Sequence, residues 1–261
     1  MPRPNKQERP KGRGKGTCMS LQVEHLAFGV PDGGDILKDI TLTVGSGRLV
    51  VVTGPNGGGK TTLARTIAGL VTPTAGRILF EGEDITTLDI TQRAQRGIAY
   101  AFQQPVRFKG LTVRDLLELA AGRTLAEADL CALLGKVGLC AGEYIDREMN
   151  ASLSGGEAKR IEIATVLARG AKLSIFDEPE AGIDLWSFTR LVETFSDLRR
   201  RGEGTLMIIS HQERILSIAD DIIVIADGRV RAQGTRAEIM PMLLEGEVAG
   251  QCPMGKEVTV Q

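Results

Sequence analysis

The stretch "RLVVVTGPNGGGKTTLARTIAG", Arg48 to Gly69, constrains this chain more than any other: a short apolar run breaks into glycines and then into a helical pattern. It satisfies G-x-x-x-x-G-K-[ST] and sits where that motif has mechanical meaning, after a strand and opening a helix. Phosphate oxygens approach a backbone only where Cβ atoms are missing. Gly54, Gly57, Gly58 and Gly59 allow successive N–H groups to point into one concavity at a positive helix end. Pro55 and Asn56 complete the loop, and Gly54 to Thr62 as a whole is expected to line a nucleotide. Lys60 would reach the β- and γ-phosphates, the Thr61 hydroxyl would ligate Mg²⁺, and Thr62 follows in the first helical turn.

A matching second half lies downstream. "KLSIFDEP" is an apolar strand ending in Asp177 and Glu178, which places two carboxylates at the C-terminal edge of a sheet, where open α/β sheets bind their ligands. Asp177 is expected to hold Mg²⁺ through water, and Glu178 to orient and polarise the attacking water.

The surrounding pattern supplies the rest of the fold. Four β-rich runs, "LQVEHLAF", "DITLTV", "RLVVVTG" and "RILFEG", predict a strand-dominated first lobe. From about Thr86 to Gly170 the texture turns helical, with "TVRDLLELAAG" and "LAEADLCALLGKVGL" spacing apolar residues by three and four. Strand runs resume in "KLSIFDEP", "GTLMIISH" and "DIIVIADGRVRAQG", with a helix "LWSFTRLVETFSDLRRR" between the first two. The order predicts a parallel α/β core interrupted by a helical lobe.

Composition excludes several classes. Lys plus Arg number 32 against 33 Asp plus Glu, so no global field steers the chain to nucleic acid or acidic lipid. The longest apolar runs have strand length, far short of the roughly 18 residues a membrane helix needs, so no direct membrane insertion is expected. Cys18, Cys131, Cys140 and Cys252 show no metal-ligand spacing, and with no secretory leader legible a reducing cytoplasm is the expected location. Residues 1–19 form a basic, Gly- and Pro-rich tail expected to be disordered, and read as a solvated extension rather than a basic arm; either Met1 or Met19 could be the start. Residues 20–240 form the main domain and 241–261 a C-terminal extension, where Cys252 reads as a solvated residue.

With these pieces in order, the chain from residue 20 resembles the ATP-binding cassette (ABC) family of ATPases. Gln103 in "YAFQQP" looks like the family's Q-loop glutamine, and "LSGGE" from Leu153 to Glu157 like its signature. "EPEAGID", ending at Asp184, resembles the D-loop, and His211 in "IISHQE" resembles the switch histidine. The resemblance implies a P-loop NTPase fold of the ABC type: a β-rich N-terminal subdomain, a parallel-sheet core and an inserted α-helical subdomain at about 86–170. It also implies that ATP and Mg²⁺ are bound, that ATP is hydrolysed to ADP and phosphate, that His211 contacts the γ-phosphate and that Gln103 senses Mg²⁺ and the water. Ser154, Gly155 and Gly156 would close on the ATP of a second copy in an ATP-dependent head-to-tail homodimer, with Asp184 communicating across it. His25 has no partner pattern and reads as structural.

The string after the signature points to a narrower branch. "GGEAKRIEI", with Lys159, Arg160 and Glu162, resembles that of SufC, the soluble ATPase of the SUF iron–sulfur cluster assembly machinery, and "YAFQQPVRFKGLTV" and "SHQERIL" resemble it too. Val30 stands where transporter cassettes carry an adenine-stacking aromatic, with Phe28 the substitute if the register differs by two. This branch implies a SufB-like or SufB/SufD-like scaffold as partner. The alternative is the ATP-binding subunit of a membrane importer, with a regulatory ATP-binding module as a third class disfavoured by Glu178. The sequence "EPEAGID" and the ending "GQCPMGKEVTVQ" depart from the SufC pattern and indicate a divergent branch.

Overall fold

A computed structural model describes residues 19–31, 33–150 and 152–245. In chain order the elements are β1 (Met19–Val30), β2 (Gly34–Gly45), β3 (Leu49–Thr53), α1 (Lys60–Ala68), β4 (Ala75–Phe80), β5 (Glu83–Asp84), α2 (Ile90–Gln95) and β6 (Ile98–Ala101). The helical lobe follows as α3 (Val113–Ala121), α4 (Glu127–Lys136), α5 (Ala141–Tyr144) and α6 (Gly155–Ala168). The chain then completes the core with β7 (Leu173–Asp177), α7 (Leu185–Arg201), β8 (Thr205–Ile209), α8 (Glu213–Ser217), β9 (Asp221–Ala226), β10 (Arg229–Thr235) and α9 (Arg236–Leu244).

Two sheets carry the molecule. An antiparallel sheet has the order β2-β1-β4-β5, and a larger one the order β10-β9-β3-β8-β7-β6, in which all neighbours but β10 and β9 run parallel. The parallel strands are buried on both faces, as crossover topology demands. In β3, Val50 and Val52 face a core shared with the antiparallel sheet and α1, while Leu49 and Val51 face a second core shared with the helical lobe. The same alternation recurs in β8, where Met207 and Ile209 face the first and Leu206 and Ile208 the second. Ligand-bearing loops therefore leave a rigid, two-sided sheet at the C-terminal ends of its strands.

The expected helical segment of 86–170 needs one correction: it contains β6, which pairs with β7 as the edge of the core sheet. "IAYA" is too short to show an alternation, and only long-range pairing makes it a strand. Helix α7, by contrast, has the bounds expected from its pattern, since Asp184 caps its start and Gly202 its end. Helix α9 runs through the boundary expected at 240. Residues 1–18 of the expected basic tail, with Cys18, and Cys252 with most of the C-terminal extension lie outside the described residues, while Met19, placed at the end of that tail, opens β1.

One buried cation holds the first lobe together. Arg93 on α2 is 1% exposed and donates to the carbonyls of Leu88 at 2.9 Å, Thr66 at 2.6 Å, Ile67 at 2.9 Å and Thr86 at 2.8 Å. Two of these acceptors end α1, where a cation complements the helix dipole. Arg93→Ala removes the guanidinium from four carbonyls, of which Thr66 keeps a bond from the Gly69 N–H, and is expected to cost about 3 kcal/mol in urea unfolding. A loss below about 1 kcal/mol would show that the guanidinium is dispensable.

Candidate functional site

The phosphate loop is built by close backbone approach. Gly54 has φ 131°, and a Cβ there would lie 2.0 Å from the carbonyl oxygen of Ile225. Gly59, at φ 103°, precedes α1 and leaves no room beside Leu37 and Ile36. The loop thus wraps over β9 and β2 with its amides at the start of α1. Lys60 is buried, and its Nζ donates to the carbonyls of Gly54 and Pro55, each at 2.8 Å, so the ammonium already stands at the mouth of the loop. Burial lowers the Lys60 pKa, while the nearby carboxylates of Glu178 and Asp177 oppose that shift.

A cavity of about 550 Å³ opens above this loop, lined by Ile36, Asn56 to Thr62, Gln103, Glu178 and His211. Four residues expected from separate sequence motifs, Lys60, Gln103, Glu178 and His211, therefore meet in one cleft. Gln103 Nε2 donates to Glu178 Oε2 at 2.8 Å across 75 residues of sequence. Glu178 has φ 45°, a left-handed backbone rare for a side-chain-bearing residue, and its N–H donates to the Ile209 carbonyl at 3.0 Å. Strain of this kind is held only where the surroundings over-determine it, and here it aims the carboxylate into the cleft.

Asp177 is fully buried beneath Glu178. Its Oδ1 accepts from the Thr61 hydroxyl at 3.0 Å and its Oδ2 from the Tyr100 hydroxyl at 2.7 Å. Thr61 and Asp177 bring together hard oxygen atoms of the type that suits Mg²⁺, while the Gln103 side chain is engaged by Glu178. When bound, the metal would offset charge on the phosphoryl oxygens. Tyr100 is absent from the sequence reading. Burial and the neighbouring Asp177 push its phenol far above its ordinary pKa, so it stays protonated and serves as an obligate donor to Asp177. No local motif marks it, because the contact spans 77 residues.

Glu180 is a second omission. It is largely buried, its Oε1 accepts from the Ser210 hydroxyl at 2.5 Å, and burial raises its pKa. It thereby ties the segment after Glu178 to the strand end that presents His211. His25, exposed with φ 50°, pairs with Asp39 at 2.7 Å, away from the cleft. Phe28 is partly buried against the core shared with the antiparallel sheet, Val30 is exposed, and Ile36 lines the cleft.

Ser154, Gly155, Gly156 and Asp184 do not line this cavity. Ser154 caps α6 through a capping box: its hydroxyl accepts from the Glu157 N–H at 3.2 Å and its N–H donates to Glu157 Oε2 at 2.7 Å. Glu157 thereby occupies the Ser154 N–H. The hydrogen bonds from Tyr144 and from the Ser154 amide and hydroxyl lower the Glu157 pKa to about 2. Gly155 has open space where a Cβ would stand, but a Cβ on Gly156 would lie 2.6 Å from the Gly182 carbonyl. Asp184 caps α7 by accepting from the amides of Trp186 at 3.1 Å and Ser187 at 3.0 Å. The signature and the segment leading to Asp184 thus touch within one chain.

A protein-family profile described as "ABC transporter" matches residues 37–181, more than half of the chain. The chain belongs to the ABC transporter ATP-binding family. Over 231 residues this cassette is 39% identical to an uncharacterized ABC transporter ATP-binding protein of Methanocaldococcus jannaschii, a match covering 85% of this chain and 92% of that protein. It is 35% identical over 213 residues to the lipopolysaccharide export system ATP-binding protein LptB of Haemophilus influenzae, covering 78% and 86%. Among solved structures, cbiO1 of Clostridium perfringens, part of the ABC transporter complex cbiONQ, superposes with a TM-score of 0.70 at 29% identity, covering 88% of the cassette and 92% of cbiO1. These names speak of transport, and none of the three mentions iron–sulfur cluster assembly. Among the described residues of the cassette, no helix is long and apolar enough to cross a membrane.

Proposed function

We propose that this ABC cassette is the Mg²⁺-ATP-hydrolysing subunit of a multi-subunit transporter, closing head to tail on a second copy with two ATP molecules between them. The observation that carries the reading is the convergence of Lys60, Gln103, Glu178 and His211 on one cleft above the glycine loop. In this reading Lys60 and the loop amides bind the phosphates, Thr61 and Asp177 hold Mg²⁺, Gln103 and Glu178 orient the attacking water, and His211 faces the γ-phosphate. Ser154, Gly155, Gly156 and Asp184, lying outside the cleft, are left to serve the site of the second copy.

A transport partner is favoured by the relatives, whose names describe ATP-binding proteins of an ABC transporter and of a lipopolysaccharide export system. The second reading, a SufB- or SufD-like scaffold in iron–sulfur cluster assembly, rests on the Lys159–Arg160–Glu162 string and keeps the same ATP chemistry with a soluble partner. Either places the cassette in the cytoplasm. Anaerobic affinity purification, with and without detergent, separates them. Recovery of a membrane protein only in detergent is the expected result, and recovery of a detergent-independent, cysteine-bearing scaffold would replace the transport reading with the second one.

A further inference from the structure

Lys159 and Glu162 lie on α6, the helix whose first residues are Gly155 and Gly156, yet neither faces solvent. The Lys159 side chain is 0% exposed and that of Glu162 is 12% exposed. Nothing in the proposed ATP chemistry uses them. The Lys159 ammonium donates to three backbone carbonyls: Phe102, Gln103 at 3.2 Å and Asp177 at 3.3 Å. Glu162 Oε1 accepts from the Phe102 N–H at 2.9 Å, and its Oε2 lies 3.7 Å from the ammonium. The peptide groups on both sides of Gln103, and the one joining Asp177 to Glu178, are therefore gripped by two side chains one helical turn apart.

The cost of this arrangement is informative. Two ionisable groups out of water are expensive, and an apolar pair would pack α6 against β6 and β7 at least as stably. Glu162 Oε2 is also buried without a hydrogen-bond partner among the described residues. What an apolar pair cannot do is fix the position of a loop backbone, because only a donor and an acceptor specify where carbonyls and amides stand. On the same helix, Arg160 donates to Ser187 Oγ at 2.9 Å on α7 and to the Gly138 carbonyl at 3.1 Å in the helical lobe. Helix α6 is thus tied at successive positions to the lobe, to the helix that Asp184 caps and to the loop that carries Gln103.

We propose that Lys159 and Glu162 are positioning residues that lock the Gln103 loop and the Asp177–Glu178 peptide to α6, so that contact of Ser154–Gly156 with a second copy sets the geometry of Gln103 and Glu178 in this one. The inference rests on the ATP-hydrolysis reading. It extends that reading by making the pair the link between the half-site given to a partner copy and the half-site kept.

The test compares the full-length wild type with Lys159→Gln, neutral and one bond shorter, with the neutral and isosteric Glu162→Gln, and with the double variant. Lys159→Gln is expected to lower kcat for Mg²⁺-ATP about tenfold or more while the dissociation constant for ATP stays within about threefold, because the phosphate loop is untouched. The double variant should lose no more than about twofold beyond the worse single one, the mark of two groups acting as a unit. Amide hydrogen exchange across residues 98–106, measured without nucleotide, should accelerate in each variant. Turnover within about twofold of wild type in folded Lys159→Gln would overturn the inference, as would a parallel loss of kcat and ATP affinity in the milder Glu162→Gln. A wild type that does not hydrolyse ATP would instead overturn the functional reading itself.

Discussion

Replacing Glu178 by Gln is expected to cut steady-state ATP hydrolysis at least about a hundredfold and to leave a stable ATP-bound dimer. The two effects share one cause. Gln keeps the shape of Glu178 and retains an oxygen that can accept the hydrogen bond now donated by Gln103 Nε2 at 2.8 Å, so the cleft should keep its geometry. It loses the carboxylate that can polarise water, and the closed state is no longer discharged by chemistry. Size exclusion with ATP and Mg²⁺ should therefore show a species of twice the 28.0 kDa chain mass. Elution as a monomer under those conditions, or turnover within about tenfold of wild type, would remove Glu178 from the role proposed for it.

The second large effect concerns folding. Gly54→Ala should lower the melting temperature by about 10 °C, because a 2.0 Å approach to the Ile225 carbonyl forces the loop or β9 to move and the φ of 131° is strained for any side chain. The expected penalty is about 3 kcal/mol, and nucleotide binding should weaken with it, since the loop amides can no longer converge. A melting temperature within about 2 °C of wild type would mean that the loop relaxes freely, and the close approach would then have no energetic weight. Gly155→Ala is the matched control, because the space around that position is open.

The parts legible in the sequence are those in which local chemistry decides structure. The bounds of α7 follow from an aspartate cap, an amphipathic run and a terminal glycine, all within 18 residues of one another. The phosphate loop was readable because glycine spacing and flanking periodicity are local, and Asp177 and Glu178 because an apolar strand ending in two acids is an unusual string. What could not be read depends on distant pairing. Strand β6 exists only because β7 lies beside it, and Tyr100 becomes a donor to Asp177 only once that pairing is made. Nothing in the sequence marks Arg93 or Lys159 as buried, yet both lie among backbone carbonyls. Charge alone gives no sign of burial, since the acceptors lie 57, 56 and 18 residues away for Lys159 and up to 27 for Arg93.

The placement of β6 has a mechanical consequence. It is the last strand of its sheet, joined to β7 by four residue pairs, from Ile98 with Leu173 to Ala101 with Phe176, while the glycine loop and the Asp177–Glu178 edge spring from strands paired on both sides. Gln103 thus hangs from one of the two edge strands, where a loop has a sheet on one side only and takes its other footing from Lys159 and Glu162 on α6. Under the ATP-hydrolysis reading, a movement of α6 would reach the glutamine before it reached the doubly anchored strands beneath the glycine loop.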